Sequence, residues 1–166
     1  MTPLFRKLNL SSHRVILVCN APESFEPELA ALAGVTVHRD PTTLETVGFA
    51  VAFVRTLAEV ESVAAWLPKA VGDAVVWLAY PKGSSKRYRC EFNRDTGWAA
   101  VGAAGFEGVR QVAIDADWSA IRFRRTEYIK ALTRHESRAS SPAGKARTRT
   151  IVPDAESGAA ADGGAR

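Results

Sequence analysis

RVILVCNAPESFEPELAALAGVTVHRD, residues 14–40, reads as a strand, a helix and a second strand, and this reading decides the fold. The run RVILVCN at 14–20 is nearly all apolar and β-branched, the pattern of a central strand buried on both faces. In ESFEPELAALAG, Phe25, Leu29 and Leu32 recur at helical spacing, Pro27 stands early where a missing N–H costs little, and Gly34 suits a left-handed cap. VTVHRD at 35–40 returns to an extended pattern. Strand, helix, strand in this order makes a parallel pair, and parallel pairs build α/β sheets.

Working outward, GFAVAFV at 48–54 is a third apolar strand, and Thr56 to about Val71 carries a helical stripe of Leu57, Val60, Ala64 and Leu67, ended or kinked by Pro68. DAVVWLAY at 73–80 is the fourth strand. NRDTGWAAVGAAG reads as a short, glycine-weakened helix with Asn93 or Asp95 as N-cap and Gly105 as C-cap. EGVRQVAID and WSAIRFRR are the last strands, and the tight turn Asp115, Ala116, Asp117 forces them into an antiparallel hairpin. TEYIKALTRH follows as a final helix. The fold expected is an α/β three-layer Rossmann-like sandwich, its sheet mainly parallel with a C-terminal antiparallel hairpin. One connection is out of pattern: Pro41 to Val47 is too short for a usual crossover helix.

Composition narrows the class. With 166 residues, 46% of them hydrophobic, the chain is long enough for one cored domain and too short for two. We expect that domain over 1–135, followed at 136–166 by a mostly disordered basic tail rich in Ser, Ala and Gly. A formal net charge of +4 permits an anionic partner without requiring one. Cys19 and Cys90 have no CxxC or Cys/His spacing, so no metal site is expected, and free thiols fit a reducing compartment. The N-terminal MTPLFRKLNLSSHR leads into no apolar h-region, and no window approaches the roughly 18 apolar residues of a membrane span. The expectation is a cytoplasmic protein without a membrane partner.

From Arg14 to Arg125 the succession of elements resembles the Rossmann-like fold of class I S-adenosylmethionine-dependent methyltransferases, with one central strand-and-helix unit deleted. The match is best from GFAVAFV to RFRR. The resemblance implies a cofactor at the turn after the first strand, where that family has glycines, and an acidic residue ending the second strand to bind ribose. Here the turn is Asn20, Ala21, Pro22, Glu23, without a glycine and with a proline that removes a donor, while Asp40 stands at the position of the acid. NAPESFEPELA, AYPKGSSK, NRDTGW, GFEGVRQVAID and DWSAIRFRR are also similar to a family of short bacterial proteins of unknown function, a resemblance that implies a single-domain build and no particular activity.

In open parallel sheets ligands bind outside the carboxyl ends of the strands. That places Asn20 with Glu23, Asp40, Arg55, Tyr80 with Lys82, and Asp115 with Asp117 along one edge. The loop PKGSSK is the strongest element there: Gly83 allows unusual backbone angles and close approach, Ser84 and Ser85 offer hydroxyls, and Lys82 and Lys86 add charge, all suited to a phosphate or carboxylate. The spacing GxxxxGK[ST] is absent, which excludes a Walker-type triphosphatase. KRYRCEFNR interleaves Lys86, Arg87, Arg89 and Arg94 with Tyr88 and Phe92, the composition either of a nucleic-acid track or of an exposed loop or edge strand with one face on the core. Asp115 and Asp117 are too few for a metal and suit bonds to the local backbone. His13, His38 and His135 are isolated, so no catalytic grouping is expected, and Trp66, Trp77, Trp98 and Trp118 read as packing residues.

The leading expectation is therefore a small Rossmann-like domain, not a conventional enzyme, that binds an anionic small molecule. Lys82, Gly83, Ser84, Ser85 and Lys86 would cradle the anion, with Asn20, Glu23, Asp40, Arg55 or Asp115 selecting the rest. The alternative is a shortened or degenerate S-adenosylmethionine-dependent methyltransferase-like enzyme, and the third reading is a nucleic-acid or protein interaction module. No cofactor and no catalytic residue follow from the residues themselves.

Overall fold

The computed structural model describes residues 1–129. The elements in order are α1 (Pro3–Lys7), β1 (Val15–Cys19), α2 (Glu26–Ala30), β2 (Thr36–His38), β3 (Val47–Phe53), α3 (Leu57–Trp66), β4 (Ala70–Pro81), α4 (Ala99–Ala103), β5 (Phe106–Ala113) and β6 (Trp118–Arg125). Helical backbone resumes at 126–129, where the final helix is predicted; the rest of that helix and the tail lie outside the described residues.

The strands form a six-stranded sheet in the order β2-β1-β3-β4-β6-β5. β2, β1, β3 and β4 are parallel, and the β5–β6 hairpin joins them antiparallel, with Pro81 opposite Trp118. The α/β Rossmann-like reading thus holds. Against the doubly wound order 3-2-1-4-5-6 the outermost strand is missing next to β2, and an antiparallel strand, β6, is inserted between β4 and β5. The position left empty is at the periphery of the sheet, so the core strands are in place without it.

In its place a single helical turn, Pro41–Thr43, carries the chain from β2 over β1 to β3. Leu44 packs on the same core cluster as α3, and Lys69 Nζ donates to the Pro41 carbonyl at 2.7 Å. One leucine and one tether replace the usual crossover helix.

Right-handed crossovers put α2 on one face and α3 on the other, because the chain moves outward from β1 and then back past it. On the α3 face, Val60, Val63, Trp66 and Val101 of α4 pack on Ala50, Ala52, Val76 and Leu78. On the opposite face, Phe5, Leu8, Phe25 and Leu29 cover Val18, Phe49, Val51 and Trp77. α1 is not legible as a periodic pattern because it is only five residues long. Its stability comes from Thr2 Oγ1, which accepts from Phe5 N at 3.1 Å, from buried Phe5, and from Trp77 Nε1 donating to the Leu8 carbonyl at 2.7 Å.

Two local expectations are corrected. α2 ends at Ala30, with Ala31 as C-cap, so Gly34 (φ +70°) serves the turn into β2 rather than the cap. The N-cap of α4 is Trp98, with no side-chain cap bond. Asn93 Oδ1 instead accepts from Asp95 N and Thr96 N, at 2.8 and 3.1 Å, and closes its own turn. Gly105, at φ +92°, does follow the end of α4.

Candidate functional site at the carboxyl edge of the sheet

The chain leaves β1 toward β2 and later returns to β3 on the other side of β1, so the topological switch lies between β1 and β3. Asn20, directly after β1, has φ +57°. Asparagine is among the few non-glycine residues that tolerate this left-handed geometry. The backbone reversal that a glycine would make is therefore present without one. The chain then enters the turn Glu23–Phe25, which buries Phe25 and leaves Glu23 exposed.

At the end of β2, Asp40 Oδ1 accepts from Thr42 N at 2.9 Å and Thr42 Oγ1 at 2.8 Å. These bonds, backbone first, hold its carboxyl below the usual aspartate range, so it is ionised at neutral pH. Its neighbour Arg39 forks onto both oxygens of Glu26, at 2.7 and 2.9 Å, and ties the strand end to α2.

At the end of β3, Arg55 N donates to Glu59 Oε1 at 2.6 Å, and Thr56 and Glu59 form a reciprocal capping box. Leu57 N donates to Glu91 Oε1 at 2.9 Å, while Glu91 N donates to the Arg55 carbonyl at 3.0 Å. Carboxylates from the chain itself thus occupy the amino end of α3, where an external anion would otherwise find donors.

Glu91 belongs to the long loop that follows β4. Lys82 N donates to the Asp117 carbonyl at 2.8 Å, and Ser85 Oγ donates to Asp117 Oδ1 at 2.9 Å. Ser85 Oγ also accepts from Arg87 N and Tyr88 N, each at 3.2 Å, so its hydroxyl is spent on holding the loop. Farther on, Tyr88, Cys90 and Phe92 pack inward, while Arg87, Arg89 and Glu91 are exposed. Tyr88 joins the α2-side core, and Cys90 and Phe92 join the α3 side, so the loop crosses over the sheet edge. The Tyr88 ring lies 4.9 Å from Trp118, with the Arg55 guanidinium 5.6 Å from its centroid. The packed face expected of KRYRCEFNR is present, carried by a loop and not by a strand.

Asp115 Oδ1 accepts from Asp117 N at 2.8 Å and Trp118 N at 2.9 Å, the local role expected of a hairpin aspartate. Its other oxygen accepts from Ser24 Oγ at 3.5 Å, which links the hairpin turn to the turn after β1. No group of three His, Cys, Asp or Glu residues that could hold a metal ion occurs among the described residues. The Cys19 thiol is pushed up to about 11 by burial and then by the charge of Asp40, and burial pushes the Cys90 thiol up as well. Neither thiol is activated toward its thiolate.

The predicted cradle is thus divided. Lys82, Ser84 and Lys86 make no side-chain hydrogen bond or ion pair among the described residues, whereas Ser85 is committed. Gly83 is not in the left-handed region, and a Cβ there would meet open space, so its conformational freedom goes unused. Glu91 and Ser24 were not singled out in the sequence. A lone glutamate inside a basic run was the available signal for the first, and nothing marked the second.

No family model matches the chain, and no curated protein matches it. Among solved structures, a possible exported protein from Bordetella parapertussis is 13% identical, with a TM-score of 0.51, over 74% of this chain and 65% of that one. Magnesium protoporphyrin IX methyltransferase from Synechocystis, with bound S-adenosylmethionine, is 13% identical over 74% of each chain, with a TM-score of 0.48. An N-methyltransferase from Bradyrhizobium japonicum is 12% identical over 74% of this chain and 92% of that one, with a TM-score of 0.47. At such identities the likeness concerns the fold alone, and the fold is an α/β Rossmann-like sheet, mainly parallel with an antiparallel C-terminal hairpin.

Proposed function

We propose that the chain is a shortened methyltransferase-like domain that binds S-adenosylmethionine, or a nucleoside-bearing relative, at the β1/β3 switch point. The observation that carries this reading is the left-handed turn at Asn20, which supplies the reversal after β1 without glycine. An ionised carboxylate at the end of β2 fits the same ligand. Asn20, Ala21 and Glu23 would hold the cofactor at the turn, and Asp40 would accept hydrogen bonds from ribose hydroxyls. Arg55 and Tyr88 would close the opposite side. The cofactor supplies an electrophilic methyl group when bound. Pro22 leaves this turn one backbone donor short, so the site relies more on Asn20 and Asp40 than a glycine-rich turn would.

A thermal-shift titration tests this. S-adenosylmethionine or S-adenosylhomocysteine should raise the melting temperature, because a ligand of the native state stabilises it. Asp40→Asn keeps an oxygen for the Thr42 cap and removes the charge, and it should weaken the shift. Absence of any shift at millimolar cofactor would sink the reading.

A second reading, an anionic small molecule held by Lys82, Gly83, Ser84 and Lys86, is supported by the uncommitted Lys82, Ser84 and Lys86 side chains. Here the response to a phosphate- or carboxylate-bearing ligand should disappear in Lys82→Ala while the response to S-adenosylmethionine persists.

A further inference from the structure

Away from the switch point, the β5–β6 hairpin gathers three arginines. Arg110 on β5 lies directly opposite Arg122 on β6, and Trp77 of β4 is opposite Arg122 on its other side. Side chains alternate along a strand, so Arg122 and Arg124 share one face, the face that α1 reaches where Trp77 bonds to Leu8. Like charges directly opposite each other across strands repel.

One of the three guanidinium groups is compensated. Arg124 forks onto Asp73, Nε to Oδ1 at 2.8 Å and a terminal nitrogen to Oδ2 at 2.6 Å. Glu107 stands opposite Arg124, one register position beyond the irregularity between Gly108 and Arg110. Among the described residues Arg122 has no such partner: its Nε is buried and finds no acceptor there. Burial first, then the charge of Arg124, pushes its pKa below the ordinary arginine value, with Arg110 adding to this and Asp73 opposing it. A buried, charged N–H without an acceptor costs the fold its full desolvation.

We propose that Arg110 and Arg122 form an oxyanion site for a phosphate-bearing small molecule, with Arg124, fixed by Asp73, as its third wall. Guanidinium groups suit bidentate binding of phosphate, and one bound anion would screen the repulsion that Arg124 and Arg110 exert on Arg122. The site is on a sheet face, separate from the Lys82 loop at the carboxyl edge.

The probe is inorganic phosphate, titrated against sodium chloride at matched ionic strength. A ligand at ten times its Kd should raise the melting temperature by roughly 3 to 6 °C in a chain of this size. The Arg122 Nε–H resonance should move in the same titration. In Arg122→Met the phosphate response should vanish, while stability in phosphate-free buffer stays level or rises, because an unpaired charge has been replaced by an apolar side chain. Arg110→Ala should lose most of the response, and Lys82→Ala should keep it, which separates this site from the anion reading of the carboxyl edge. A purely structural Arg122 would instead lower stability in phosphate-free buffer when replaced, and that result overturns the proposal. So does a phosphate response that is absent in the wild type or survives in both arginine variants.

Discussion

Gly97 has φ +91°, and a Cβ there would lie 2.5 Å from Phe92 Cβ and 2.7 Å from Phe92 Cγ. Neither atom is the loose end of a flexible chain, so the backbone must shift. Gly97→Ala should cost about 2–3 kcal/mol in urea unfolding, from strained backbone and overpacking together. Gly83→Ala should stay within about 0.5 kcal/mol, since nothing surrounds that position. The sequence drew attention to Gly83, because lysines and serines flank it, and passed over Gly97. Residue identity announces conformational freedom without saying where the chain spends it. Asn20 shows the converse, a left-handed turn hidden in a residue that is not glycine. Asp73 carries a pH dependence. The bond from Arg124 holds its carboxyl below the usual aspartate value, so the pair contributes stability that is complete above the unfolded pKa of about 4 and is lost as pH falls through the folded value. Wild type and Asp73→Asn should therefore differ at pH 6, by up to about 1 kcal/mol for a partly exposed pair, and converge in acid below the folded value. A difference that grows on acidification would contradict that sign.

At the scale of elements, the long loop after β4 is the part whose alternation was legible and whose attachments were not. KRYRCEFNR already showed large residues alternating with charges, and Tyr88, Cys90 and Phe92 do turn inward. What it could not show is that Ser85 closes on Asp117 and Glu91 on the amide of Leu57, since these partners lie 32 and 34 residues away. Ser85→Ala should destabilise by about 1–3 kcal/mol, because it strips partners from a half-buried aspartate and two backbone amides at once. Glu91→Gln retains an acceptor for Leu57 N and loses the charge at the amino end of α3, which should cost about 0.3–1 kcal/mol and shrink with added salt. Denaturant midpoints of the two variants at low and high salt distinguish the contributions: only the Glu91→Gln deficit should depend on salt. The same attachments explain why PKGSSK, read as one cradle, divides into a bound serine and uncommitted lysines.

For the whole molecule, the succession of strands along the chain followed from pattern because each apolar run had the length and β-branching of a buried strand. The crossover after β2 did not, since one leucine and one lysine tether leave no periodic trace. That substitution has an energetic consequence. β3 is paired on both sides, by β1 and β4, and its residues from Phe49 to Phe53 are buried. β2 has three register positions on a single neighbour, lies at the sheet edge, and none of its residues is fully buried. Few buried contacts and a solvent-facing ladder permit opening without global unfolding. Hydrogen exchange should therefore be graded: amides of Ala50–Ala52 and Val76–Leu78 exchange only through the global transition and accelerate steeply with urea. Those of Thr36–His38 exchange through a local opening that urea barely affects. Equal protection in β2 and β3 would mean that the short crossover secures the edge as firmly as a helix does, and the missing unit would then have cost the sheet nothing.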